Sequence, residues 1–243
     1  MSYKKSILYL SNRMRLISLN KDNIFVQAKY GPSKVVKLPL KISDDLSCLV
    51  AFIIGDGHLL KNKFRTSIES SNKNLLLIAS KIVKDLFNIK TSIKKIKKRD
   101  RKKQTYHLTI YSKAIQELLS IIFKIPRGKK SNIVRVPKQI SLRDKKIKGA
   151  FIIGLLAAEG SRRGKYNVRI CSASIGLLED VKKILKDLKI DSKIESWINK
   201  KYKKEYYSIF FERNSLNSLM RRCRSGQTGQ ILSIFKQITE DQA

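Results

Sequence analysis

The chain has 243 residues, of which 53 are Lys or Arg and 19 are Asp or Glu, a formal net charge of +34. Its 42% hydrophobic content is enough for a real core and excludes a disordered chain. A folded chain this basic points to a nucleic-acid partner, ahead of a merely solvated lysine-rich surface or an anionic membrane surface.

Residues 1–42 read as a β-rich N-terminal extension with turns at Asn20-Lys21-Asp22-Asn23 and Gly31-Pro32-Ser33, and no role is assigned to it. Its apolar run at 7–10 is too short for a signal peptide. No run reaches the roughly 18 apolar residues that span a bilayer. The expected location is therefore intracellular, in the cytoplasm or an organelle. Cys48, Cys171 and Cys223 are odd in number, far apart and not at zinc-site spacing, so free thiols are expected, two of them buried. His58 and His107 are isolated and fit structural or DNA-contacting roles better than metal ligation.

From Ser43 the chain shows a helix start with acids in its first turn, Ser43-Asp44-Asp45. The helix runs through apolar residues with Ala51 and Gly55 four apart, and ends at Gly55-Asp56-Gly57. A short strand before Asn62, a strand over 64–70 and a helix over 75–87 follow. Strands over 91–97 and 106–111 then flank the basic turn 98–103, and a helix covers 114–123. A connector holds Pro126-Arg127-Gly128 and Pro137, and Ser141-Leu142-Arg143-Asp144 reads as a capping-box-like helix start.

The pattern then repeats. A second apolar helix carries Gly154 and Ala158 and ends at Ala158-Glu159-Gly160, with Glu159 103 positions after Asp56. A short strand, a strand over 166–172, a helix over 177–188, strands over 193–198 and 206–211 about a basic turn, and a helix over 216–222 reproduce the first order. A repeat this long is a duplicated domain. The expected divisions are 43–137, the first half with its connector, and 138–243, the second half.

A carboxylate at a helix C-terminus opposes the dipole at a cost of about 0.3–1 kcal/mol when exposed. Here it occurs twice at equivalent positions. Small residues four apart let the two helices approach closely, which brings Asp56 and Glu159 together. Paired carboxylates repel unless a cation lies between them, and an all-oxygen site suits Mg²⁺.

These paired motifs resemble those of the LAGLIDADG homing endonucleases in their monomeric, two-motif form, over about residues 43–235. The resemblance implies an α+β fold of two pseudo-symmetric αββαββα halves. The motif helices form the central interface, and saddle-shaped antiparallel sheets lie over DNA. It implies a nuclease that hydrolyses both strands of a long pseudo-palindromic site with Mg²⁺ or Mn²⁺, encoded in an intron or intervening sequence. Carried over, the metal ligands are Asp56 and Glu159, assisted by the carbonyls of Gly55 and Ala158. Basic residues that organise the attacking water are Lys130, then Lys129, with Arg162 and Arg224 as further candidates. Relatives often place Gln or Asn at the end of the second strand, where this chain has Ser70 and Ser172.

Alternation puts Asn167, Arg169 and Cys171 on the groove side and Tyr166, Val168 and Ile170 on the other. By analogy Arg65, Ser67 and Glu69 face the groove in the first half. Lys95, Lys97, Arg99, Arg101, Lys200, Lys201 and Lys203 are expected to meet phosphates. Two alternatives keep the fold and drop cleavage: a maturase that binds intron RNA, and a retired endonuclease acting as a DNA-binding protein. A third is an unrelated basic RNA-binding factor, which has no use for paired acids.

Overall fold

The computed structural model describes residues 2–30, 33–96, 104–199, 203–223 and 226–240. The N-terminal segment begins with α1 (Tyr3–Ser11), where only strands and turns were expected. Its buried Tyr3, Ile7 and Leu10 recur at helical spacing, and Tyr3 packs its ring 5.9 Å from Phe123. Three antiparallel strands follow, β1 (Arg15–Leu19), β2 (Asn23–Gln27) and β3 (Val36–Pro39), in that order. The Asn20 side chain makes the first turn by accepting from the backbone N–H groups of Asp22 and Asn23 at 3.0 and 2.8 Å. Of the second expected turn, Gly31 and Pro32 lie outside the described residues.

The first repeat comprises α2 (Asp44–Asp56), β4 (Gly57–Leu59), β5 (Arg65–Ser70), α3 (Lys73–Phe87), β6 (Ser92–Ile96), β7 (Thr105–Tyr111) and α4 (Lys113–Glu117), extended by a π-helical turn, Leu118–Ile122. A short α5 (Lys138–Ser141) lies in the connector. The second repeat comprises α6 (Lys145–Glu159), β8 (Gly160–Arg163), β9 (Asn167–Ser172), α7 (Ile175–Asp187), β10 (Lys193–Asn199), β11 (Lys204–Glu212), α8 (Ser215–Arg222) and α9 (Gly226–Glu240). The sheets are antiparallel and share one order, β4-β5-β7-β6 and β8-β9-β11-β10. The architecture is α+β with two repeated halves. In each sheet one face is covered by helices, α3 in the first half and α7 in the second.

Side chains fix where both motif helices begin. Ser43 Oγ accepts from Leu46 N at 3.1 Å. The second start differs from the capping box expected at Ser141. Ser141 ends α5, and Asp144 is itself the N-cap, accepting from Lys146 N and Ile147 N at 2.9 and 3.0 Å.

The helices α2 and α6 run parallel and make the central seam. At their N-terminal end Lys146 pairs with Asp44 at 3.0 Å, and Ser47 Oγ donates to the Ile147 carbonyl at 2.8 Å. Further along, a Cβ on Gly154 would collide with the Cys48 carbonyl and stand 2.8 Å from Ala51 Cβ. A Cβ on Gly55 would collide with Ala158 Cβ and stand 3.0 Å from Glu159 Cγ. The four small residues thus pair across the seam, Ala51 with Gly154 and Gly55 with Ala158. Helix α9 packs on α6, α3 and α2. Its first turn is held by Asp45, whose carboxylate accepts from Thr228 N and Oγ1 at 3.0 and 2.7 Å.

Two glycines of α6 separate close packing from helix propensity. Gly154→Ala should lower stability by about 1–3 kcal/mol through overpacking. Gly149→Ala, whose Cβ would find Cys223 Sγ at 3.6 Å, should raise it by about 0.5–1 kcal/mol. Chemical denaturation of both variants checks this, and equal effects would contradict the packed seam.

Candidate active site and nucleic-acid interface

Asp56 and Glu159 are the last residues of α2 and α6. Each is followed at once by the first strand of its own sheet, so both carboxylates stand where the sheets meet the seam. The site gathers two carboxylates and two negative helix ends within a chain of net charge +34. Both acids are half-buried. Burial raises the Glu159 pKa, and the nearby Lys130 ammonium partly lowers it again.

Lys130 comes from the connector loop, which is tied to the first sheet by Gly128 N donating to the Leu59 carbonyl at 2.8 Å. Gly128 has φ +80°, a left-handed turn open to glycine. Lys130 Nζ donates to the Ile54 carbonyl and, at 2.8 Å, to the Gly55 carbonyl. Burial pushes its pKa down, and the charges of Glu159 and Asp56 pull it back up.

The donor set fits a hard divalent cation. It offers two carboxylates and the Ala158 carbonyl, whereas the Gly55 carbonyl expected to assist is taken by the Lys130 ammonium, and a cation would offset the cost of charging the buried Glu159. Among the described residues no group of three or more His, Cys, Asp or Glu is placed to hold a metal. A bound ion would therefore complete its shell with solvent or substrate oxygens, as Mg²⁺ commonly does.

The other candidates spread out. Lys129 is exposed. Arg162 is turned away: it pairs with Val168 across β8 and β9 and so shares the helix-covered face, where its Nε donates to the Gly164 carbonyl at 2.8 Å. Ser70 Oγ accepts from Asn72 N at 3.1 Å and Ser172 Oγ from Ser174 N at 3.0 Å, so both hydroxyls serve the turns into α3 and α7. Arg224 lies outside the described residues.

Strand register assigns the uncovered face of each sheet. Val168 and Ile170 are buried on the helix side, while Asn167, Arg169 and Cys171 alternate onto the open one. Tyr166, expected with the buried set, precedes β9 and is 69% exposed. In the first sheet Arg65, Ser67 and Glu69 share the open face, although Ser67 is buried. Lys95 pairs with Tyr106 and falls on the opposite face, whereas Lys94 pairs with His107 and joins Glu69. Lys203 lies at the second hairpin turn with φ +48°. Lys97, Arg99, Arg101, Lys200 and Lys201 lie outside the described residues.

Pairing also adds residues that single strands did not reveal. His58, Lys94, His107 and Tyr111 join the first open face. On the second, Trp197 stacks on Tyr206 with centroids 6.0 Å apart. Arg163 is fixed between the Phe210 ring, 3.6 Å below its Cζ, and Glu195 Oε1 at 2.5 Å. The missed signal was alternation in the second hairpin of each half, which becomes readable only when aligned with its partner strand.

The family model described as LAGLIDADG-like domain matches residues 44–122 and 146–224. An A-type ATP synthase subunit of Pyrococcus abyssi is 32% identical over 156 residues, 63% of this chain and 14% of that protein. The replication factor C small subunit of Methanocaldococcus jannaschii is 28% identical over 174 residues, 71% of this chain and 9% of that protein. The chain thus spans a small part of each of these curated relatives. Among solved structures, I-DmoI in complex with DNA and Mn has a similar fold, with TM-score 0.54 and 21% identity over 76% of this chain and 99% of that one.

The raised Glu159 pKa has a consequence for stability. The ordinary value is 4.5, and a raised folded-state value means that the contribution is complete below it and lost as pH rises through the folded pKa. Glu159→Gln keeps the shape and removes the charge. In thermal melts without divalent metal it should exceed the parent in stability at about pH 7.5 and match it at about pH 3.5. A parent as stable as the variant at both pH values would contradict the electrostatics of the site.

Proposed function

The chain belongs to the LAGLIDADG-like family, and on that premise we propose that it is a site-specific endonuclease that cuts both strands of a long, imperfectly symmetric DNA site. The observation that carries this reading is that Asp56 and Glu159 end parallel, closely packed helices, with the Lys130 ammonium near enough to feel both charges and an open sheet face on either side. Both repeats lie in one chain, so the unit of action is a monomer. The open faces differ: Arg65, Glu69, Lys94 and His107 on one, Arg163, Asn167, Arg169 and Trp197 on the other. The two half-sites it reads are correspondingly unequal.

Asp56 and Glu159, with the Ala158 carbonyl, would hold Mg²⁺ or Mn²⁺. Such an ion supplies charge stabilisation and an activated water for phosphodiester hydrolysis. Lys130 fixes the end of α2 through the Ile54 and Gly55 carbonyls and places a positive charge where a phosphate develops negative charge. Lys129 and Lys203 supply phosphate contacts at the rim. Similar sequence within two proteins of unrelated name, a small share of each, supports a mobile module encoded within an intervening sequence. It acts inside the cell, where its DNA is.

A second reading keeps DNA binding without cleavage. It is favoured by Ser70 and Ser172, short side chains occupied by their own turns where relatives often carry an amide.

Incubation with a randomised duplex library and Mg²⁺, followed by sequencing of new ends, separates the two. We expect a single preferred site cut on both strands and complete loss of cutting in EDTA. Asp56→Asn and Glu159→Gln should each abolish detectable cleavage while retaining binding, and Lys130→Met should slow it by about 10²–10⁴-fold. Selective binding with no cleavage by the parent would establish the second reading instead.

A further inference from the structure

On the second open face one long side chain is held at both its flat surface and its tip. Arg163 is the last residue of β8, and its pairing with Asn167 puts it on the open face. Its guanidinium reaches across β9. There Cζ stands 3.6 Å from the centre of the Phe210 ring on β11, and Nη2 donates to Glu195 Oε1 on β10 at 2.5 Å. Stability gives little reason for this arrangement. The Arg163 and Glu195 side chains are 33% and 46% exposed, and ion pairs so exposed contribute little. Nor does the duplicated fold require it. Counted from Asp56 and Glu159, Leu60 stands where Arg163 does. Strand register puts Lys94 in the place of Glu195 and Thr109 in that of Phe210, so the first half lacks all three parts.

A guanidinium carries its N–H donors in a planar fork, five in all. Among the described residues Glu195 Oε1 is the one acceptor bonded to Arg163, so most of the fork is unspent. A fork already held against a ring and a carboxylate gives up little rotamer freedom when it meets a partner. In the major groove the base edge that matches two such donors is guanine, whose O6 and N7 both accept. Adenine sets a donor beside its N7, and neither cytosine nor thymine offers two acceptors.

We infer that Arg163 is a specificity-determining residue that reads a guanine in the half-site under the second sheet, and that Phe210 and Glu195 are the positioning residues that hold it. The inference rests on the proposed recognition of a DNA site through the open sheet faces, and not on cleavage. It gives one half-site a guanine preference that has no counterpart in the other.

Selection from a randomised duplex library by the full chain, with Ca²⁺ in place of Mg²⁺, tests this through binding alone. The parent should enrich a site with a guanine, at one position of one half-site, that Arg163→Lys no longer prefers. The lysine keeps the charge and loses the fork. Preference for guanine there should fall by about 5–150-fold, while every other position and the salt dependence stay as in the parent. Glu195→Gln and Phe210→Leu leave Arg163 in place but loosen its hold, so the same position, and no other, should weaken by a smaller factor. An unchanged consensus in Arg163→Lys would overturn the inference. So would a uniform loss of binding over all sequences with a lowered Tm, the outcome for an arginine that only straps β8 to β10. A parent that enriches no site overturns both this inference and the DNA-recognition reading beneath it. An enriched site that stays uncut in Mg²⁺ removes the endonuclease alone, and the loss of the guanine in Arg163→Lys still carries the inference.

Discussion

The fold turns on how closely two helices can approach. Hydrophobic burial alone would hold α2 and α6 together at an ordinary separation, with side chains between them. Small residues at 51, 55, 154 and 158 remove that spacer, so backbone meets side chain directly. Everything at the C-terminal end depends on this. The helix ends converge, the acids that terminate them share one space, and the strands that begin one residue later spread out on either side. A single methyl group at Gly154 acts against all of these at once.

Close approach concentrates like charge. Two helix C-termini, each ending in a partly buried carboxylate, lie side by side there, a poor arrangement for stability. Lys130 offsets part of it by bonding the carbonyls that end α2 while lying within reach of both acids. Burial lowers the Lys130 pKa and raises that of Glu159, so neither charge is fully compensated by the other. Such residual frustration is common where function requires groups that the fold alone would not choose. The opposite end of the seam shows the contrast. There Asp44–Lys146 and Ser47–Ile147 join partners that satisfy each other.

Much of this was legible in the sequence. The echo of Gly55-Asp56-Gly57 in Ala158-Glu159-Gly160 identified the seam, and the repeated order of elements identified both halves. Lys130 beside the acids was expected from the resemblance, but that Arg162 turns away from them was not legible, because it depends on which face of β8 a side chain occupies. Lys95 failed for a related reason. Ile93 and Ile96 flank Lys94-Lys95 at a spacing that suits neither strand parity, and only pairing with β7 decides it. Helix α1 was hidden because one buried tyrosine and two aliphatics in nine residues are too few to mark a helix beside a β-rich stretch.

The bond between Asp45 and Thr228 has a consequence in time. The carboxylate in the first turn of α2 waits for a donor 183 positions further along the chain. Contacts of such separation carry a large loop-closure cost and form late in folding. During synthesis the first half can gather its sheet and its helix α3, but α2 lacks both its partner helix and the segment that clasps its start. The two acids can therefore come together only once α6 has emerged, and the clasp on the start of α2 closes later still. A fragment that ends before α6 carries one carboxylate without the other, and one that ends before Thr228 leaves Asp45 without the donor that clasps it.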